Sequence, residues 1–347
     1  SALHPYFTIL PARNVDFASL DAQARANSTI PFFTGKVKSP LDHGTYTYNI
    51  VGADPHTSNT TTTITFVPIT LRVHLPGGIV LDPTKPGCND TVSVQDRFFK
   101  GPNFVNVPLK SNGISVGSTQ VTDGFQRAEF WKLVTKNKNY HTVLKASANP
   151  VVVDFTPSGG VIENAPVCTG TQHSLGGVEI NTYDAEMQAL ANKYAKTNQV
   201  PLVLSYNVVE YIGNPANCCV IGYHSAFGRT GGTQVYSVGA YTDAGQFSGG
   251  LEDIHAWTHE IGELFNDPFV NNATPTWGHV GQVSGCQGNL EVGDPLTGTP
   301  FLVKYNGFTY HPQELAFFDW FFRTPAQGTG AEYSFEGTFE SAQGACH

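Results

Sequence analysis

The run "TTTITFVPITLRVHL", residues 61–75, constrains the fold more than any other stretch of this chain. Threonine, isoleucine and valine dominate it. Such β-branched side chains lose rotamer freedom in a helix and suit a pleated surface. The run therefore predicts a long strand. Pro68 has no N–H to give a ladder, so it predicts a bulge or an edge within that strand. "GTYTYNIVG" (44–52), "NPVVVDFTPSGG" (149–160), "VPLVLSYNVVEYIG" (200–213) and "TQVYSVGAYTD" (233–243) read as strands for the same reasons.

Helical patterns are fewer. "TDGFQRAEFWKLVTK" (122–136) places Phe130, Leu133 and Val134 on one face, with Thr122 or Asp123 as cap. "NTYDAEMQALANKYAKTNQ" (181–199) has Asn181 or Thr182 as cap, acids early, and Lys193 and Lys196 late. A third helix is expected over 251–267, and an aromatic one over 311–323. Residues 1–45 carry little periodicity and read as a surface-hugging arm. No internal repeat or low-complexity linker divides the rest. The expected fold is α+β in one compact unit of two lobes. A β-rich upper lobe (46–270) would include the 251–267 helix, and residues 271–347 would form a smaller C-terminal lobe, with that helix lying between the two.

Only 14% of the 347 residues are charged, and the net charge is −9. No Lys/Arg cluster marks a nucleic-acid surface. No apolar run approaches the roughly 20 residues that span a bilayer. The start at Ser1 without methionine and four N-x-[ST] sequons predict a secreted chain whose leader has been removed. N-glycans are expected at Asn27, Asn59 and Asn89; at Asn272 the proline after the sequon, Pro275, disfavours modification. Six cysteines without a C-x-x-C pair predict disulfides rather than a thiolate zinc knuckle. Cys218 and Cys219 are expected to take different partners, and Cys346 to tie down the C-terminus.

The chemistry concentrates in "HAWTHEIGELFNDP" (255–268). On a helix, Ile254, Trp257, Ile261, Leu264 and Phe265 form an apolar stripe. His255, His259 and Glu263 recur at four-residue spacing near the opposite side, Asp267 extends the row, and Glu260 lies beside it. Glu252 and Asp253 would fall in the first turn, favourably for the helix dipole. Such a row is often no more than a solvated face. The functional reading is a metal helix, because side chains at i and i+4 can clasp one ion. Glu260 follows His259, where a zinc peptidase carries its general base. The usual H-E-x-x-H is absent, since position 263 is Glu. Pro268 predicts a helix end near Asn266, which leaves Asp267 at the negative end of the dipole and in need of a partner. Downstream, "GNLEVGDPL" (288–296) offers Glu291 and Asp294 in a glycine-rich turn that can return to close the site, or that can be an Asx turn satisfied by its own backbone.

The order H-E-x-x-E, D-P, W, E-x-G-D in "THEIGELFNDPFVNN", "TPTW" and "LEVGDPL", with "FQRAEFW" and "GYHSA", resembles a group of secreted bacterial and fungal proteins that carry zincin-like metallopeptidase motifs. More distantly it resembles the plant phosphate-induced, exordium-like proteins. The likeness spans about residues 45–320. It implies a zincin-like core, with a mixed sheet and a metal-binding active-site helix. His259 and Glu263 would be ligands, Glu260 the catalytic acid/base, Glu291 or Asp294 a further ligand, and Asp267 a ligand or its support.

The reading that follows is a secreted zinc endopeptidase in which Glu260 takes a proton from metal-activated water. The 233–243 strand would pair with an extended polypeptide substrate. His224 is a candidate to stabilise an oxyanion. His255 reads as support or surface, His311 and Glu314 as packing, and Tyr310 or His279 as weak candidates for an electrophile. One histidine with two carboxylates would neutralise a divalent ion, and oxygen-rich sites also suit Ca²⁺ or Mn²⁺. The competing reading is therefore a non-catalytic secreted module, binding cell-wall glycan or protein, with a structural ion. A third is a metal-dependent hydrolase of non-peptide bonds.

Overall fold

The structure is a computed structural model and describes residues 3–347. The 61–75 run is one strand, β1 (Thr61–Leu75), and a seven-stranded sheet is built on it. The other strands are β2 (Ile79–Leu81), β3 (His141–Ala146), β4 (Val151–Phe155), β5 (Val200–Tyr206), β6 (Gly222–Arg229) and β7 (Gly232–Tyr241). The order is β6-β7-β5-β1-β2, with β3 and β4 also paired to β1. β1 is long enough to hold two partners in succession on each flank, β3 then β4 on one and β5 then β2 on the other. Pro68 is thus interior rather than at an edge. It lies opposite Leu202, where the other flank passes from β3 to β4 and the ladder is already broken. A four-stranded sheet (order 218–220, 208–211, 175–179, 161–164) and four two-stranded ribbons complete the β structure.

The helices used below are α1 (Val121–Glu129), α2 (Ile180–Tyr194) and α3 (His255–Asn266). α2 is capped not by Asn181 or Thr182 but by Glu179, whose carboxylate accepts from both of their N–H groups. Of the expected 311–323 helix only Phe318–Phe322 is helical. Gln313 and Ala316 instead make extended bridges to Pro300 and Ser334. The 1–45 segment is not all arm, for it contains a helix (Leu20–Arg25) and the strand Phe32–Lys38, paired with Thr45–Val51.

The fold is mostly β, which corrects the expected zincin-like α+β architecture with an active-site helix between two lobes. The reason is in α3 itself. Each of its twelve residues is buried. One apolar core runs from Leu20 to Phe335 and takes in Ile254, Trp257, Ile261, Leu264 and Phe265 along with residues of both expected lobes. A helix enclosed on every side is a core element, not the wall of an interlobe cleft.

Three disulfides join Cys88 to Cys168, Cys286 to Cys346, and the neighbours Cys218 and Cys219 to each other. The second ties down the C-terminus as expected; the third overturns the expectation of separate partners. Among the described residues no helix is long and apolar enough to cross a membrane. Asn27, Asn59 and Asn89 are exposed. Asn272 is buried, and its side-chain amide donates to the Asn49 and Asn266 carbonyls, which leaves that sequon no room for a glycan.

Glu129, the last residue of α1, is buried and accepts one hydrogen bond, from the Phe318 N–H at 3.1 Å. Burial, and then the charge of Asp319, push its carboxyl well above the ordinary range. Between its unfolded and folded values the native chain holds the extra proton, so this group's contribution to stability falls as pH rises through that window. Glu129→Gln removes that slope. Its thermal midpoint is expected to match the parent's near pH 4 and to exceed it increasingly up to pH 9.

Candidate metal centre

α3 begins after Asp253, which adopts a positive φ of 44° and accepts from the Ile254 N–H. Glu252 and Asp253 therefore precede the helix rather than occupying its first turn, and both approach His311. Pro268 stops the helix at Asn266, as expected. α3 packs against β6 and β7 and directs His259, Glu260 and Glu263 toward β6 and the 288–296 loop.

The centre assembles around Glu263. Its Oε1 accepts from the Gly293 and Asp294 N–H groups at 3.0 and 3.3 Å and lies 2.9 Å from His259 Nε2. Its Oε2 lies 3.9 Å from His224 Nδ1, and ligand atoms of Glu263, His224 and Glu291 all lie within 4.8 Å of one another. Asp294 Oδ1 is 3.4 Å from His259 Nε2. Gln282 and Gln287 donate to the two oxygens of Asp294 and aim it. His224, on β6, places Nδ1 3.2 Å from Glu260 Oε2 and Nε2 3.0 Å from the Asp267 carbonyl oxygen. Asp267 spends Oδ1 on the Asn271 and Asn272 N–H groups, an Asx-type turn, while Oδ2 has no partner. The structure thus gathers His224, His259, Glu260, Glu263, Asp267, Glu291 and Asp294, all buried, into one cluster.

Other candidates lie elsewhere. His255 is buried one turn upstream, accepts from the Gly298 N–H, and is pushed down to about 3, chiefly by burial, so it stays neutral. Glu314 binds Ser334 and Thr338 and pins the 334–338 loop. Tyr310 donates its hydroxyl to the Arg97 carbonyl, and His279 lies exposed beside the Cys286–Cys346 bridge. Three polar residues and two small ones escaped sequence reasoning. Gln282, Gln287 and Gln313 carry no charge signal, and Gly222 and Gly293 leave space. A Cβ on Gly222 would press on Glu260, and one on Gly293 would overlap the His259 ring. The φ of Gly293 is −87°, so space and not backbone conformation requires glycine there. Gly293→Ala is expected to displace His259 and weaken metal binding about 10–100-fold, the usual effect of disturbing a ligand's support. Titration of the chelated protein checks it.

Among the described residues, every ion pair to these carboxylates comes from the two histidines. Burial is the largest influence on them. It pushes Glu260 up to about 8 and Asp267 up to about 6, and raises Glu263 and Glu291 well above the carboxylate range. Uncompensated buried charge costs several kcal/mol per ion. His259 Nε2, Glu260 Oε1, Glu291 Oε1 and Asp267 Oδ2 are buried without hydrogen-bond partners. Imidazole nitrogen and carboxylate oxygen are the donors a divalent ion takes. The residues fit such an ion. Other close groups fit less well. Those with Cys88 and Cys168, or Cys286 and Cys346, have spent their sulfurs in disulfides, and Glu252, Asp253 and His311 satisfy one another near the surface. Compared with protein-family profiles, characterised proteins and solved structures, the chain matches none.

Proposed function

We propose that this chain is a secreted metal-dependent hydrolase that cleaves peptide bonds. The observation that carries the reading is the set of buried, unpartnered donors around Glu263. His259, Glu263 and Asp294 would hold the ion. When bound, it supplies Lewis acidity toward water and toward the scissile carbonyl. Glu260 has a free Oε1 and can take a proton there, while its Oε2 faces His224 Nδ1 at 3.2 Å. His224 is oriented by the Asp267 carbonyl. Three disulfides support an oxidising compartment.

A second reading has one specific observation in its favour. The ring of Phe7 stacks on His259 with centroids 3.3 Å apart and planes 10° from parallel. So covered, the ion would serve as a structural cation in a non-catalytic binding module. Elemental analysis with a peptide-library digest separates the two. Zinc or manganese with cleavage supports the hydrolase. Calcium with no cleavage from pH 4 to 9 supports the module and overturns the hydrolase.

A further inference from the structure

Both histidines of the cluster are fixed in orientation by an acceptor behind them. His224 turns Nε2 to the Asp267 carbonyl oxygen at 3.0 Å, and a carbonyl only accepts, so Nε2 carries the proton. The bare Nδ1 then faces Glu260 Oε2 at 3.2 Å and Glu263 Oε2 at 3.9 Å. His259 turns Nδ1 to Gln313 Oε1 at 3.0 Å. That amide is held this way round because its Nε2 donates to the Gly293 and Glu314 carbonyls at 2.7 and 3.2 Å. The bare Nε2 of His259 therefore faces Glu263 Oε1 at 2.9 Å and Asp294 Oδ1 at 3.4 Å. A nitrogen lone pair pointed at carboxylate oxygens in a dry interior needs a cation or a proton between them; one proton bridges a single N···O pair, whereas each nitrogen here faces oxygens of two residues at once.

The two contacts are on opposite oxygens of one carboxylate. His259 meets Oε1 of Glu263, and His224 meets Oε2. The mutually close ligand atoms also fall into two groups, His259 with Glu260 and Glu263, and His224 with Glu263 and Glu291; Glu263 belongs to both. Unpartnered buried atoms occur on each side, His259 Nε2 on one and Glu291 Oε1 on the other.

We infer that the cluster is a two-cation site bridged by Glu263, with His259 and Asp294 holding one ion and His224 and Glu291 the other. This rests on the cation-dependent reading above. One imidazole per position beside carboxylate oxygens suits Zn²⁺ or Mn²⁺ better than the all-oxygen demand of Ca²⁺. His224 thereby becomes a ligand rather than an oxyanion stabiliser, and Glu291 and Asp294 serve different ions instead of competing for one.

The test uses the full chain, stripped with chelator, reloaded with Mn²⁺ or Zn²⁺ and desalted. About two ions per chain are expected, as in two-metal sites generally. His224→Ala and the near-isosteric Glu291→Gln should each bring the count to about one. Paramagnetic resonance of the Mn²⁺-loaded parent should show an exchange-coupled pair, a readout that needs no variant. One ion per chain with an uncoupled spectrum, unchanged in both variants, overturns the bridge and leaves the single-ion hydrolase standing. No retained ion under any loading overturns both.

Discussion

Glu260→Gln is expected to retain metal at the parent's level and to lose about 10²–10⁴-fold in kcat for peptide hydrolysis, the range that general-base catalysis contributes. The glutamine is nearly isosteric, so the room that Gly222 leaves for this side chain still suffices. The oxygen that changes chemistry is Oε1, which has no partner to lose. Burial already disfavours the Glu260 carboxylate, so the substitution should leave the thermal midpoint unchanged or raise it. Elemental analysis, a calorimetric midpoint and initial rates on one peptide check the three parts. Undiminished cleavage removes Glu260 from the mechanism. Loss of metal would make it a ligand instead.

What the sequence made legible follows from what is local. The 61–75 strand is announced by its β-branched run, and the end of α3 by Pro268, because both depend on backbone preferences within a few residues. The H-E-x-x-E spacing puts His259 and Glu263 together by helix geometry alone. The arrival of Glu291 and Asp294 was readable only as an acidic turn; its docking depends on Gly293, where a side chain would strike His259. Burial was misread. A helix with two histidines and three carboxylates looks solvated in one dimension, yet its polar face is covered by segments some twenty to 250 residues away in the chain: the 288–296 loop, Gln313 and Phe7. No periodicity within 251–267 carries that information. The expected placement of the helix between two lobes failed for the same reason, since tertiary burial and not local pattern decides whether a helix lines a cleft.

Removal of residues 1–8 is expected to raise hydrolysis at low substrate concentration by up to about 10³-fold. The predicted substrate strand, β7, is interior, paired to β6 on one side and β5 on the other. The outer edge beside the cluster belongs to 218–220 and to β6, and residues 6–13 cover it. Tyr6 exchanges backbone hydrogen bonds with Cys219 and Ile221, and Arg13 with Ala226 and Gly228. Between them Phe7 turns its ring onto His259, while its N–H and carbonyl are both held by the Gln282 amide that also donates to Asp294. An extended peptide adding to this edge must displace that segment. Burying a phenylalanine is worth about 2–3 kcal/mol, and the two Gln282 bonds add about 1 kcal/mol each. Opening therefore costs about 4 kcal/mol, which lowers apparent substrate affinity by about a thousandfold. Arg13 remains in the truncated chain, with its 3.4 Å contact to buried Asp184, so the rest of the edge stays anchored. Phe7→Ala removes the ring without the backbone bonds and should give an intermediate gain. Both variants are compared by kcat/KM on a peptide, with metal content as the control. Truncated protein that keeps its metal and cleaves no faster than the parent would show that substrate reaches the cluster by another route.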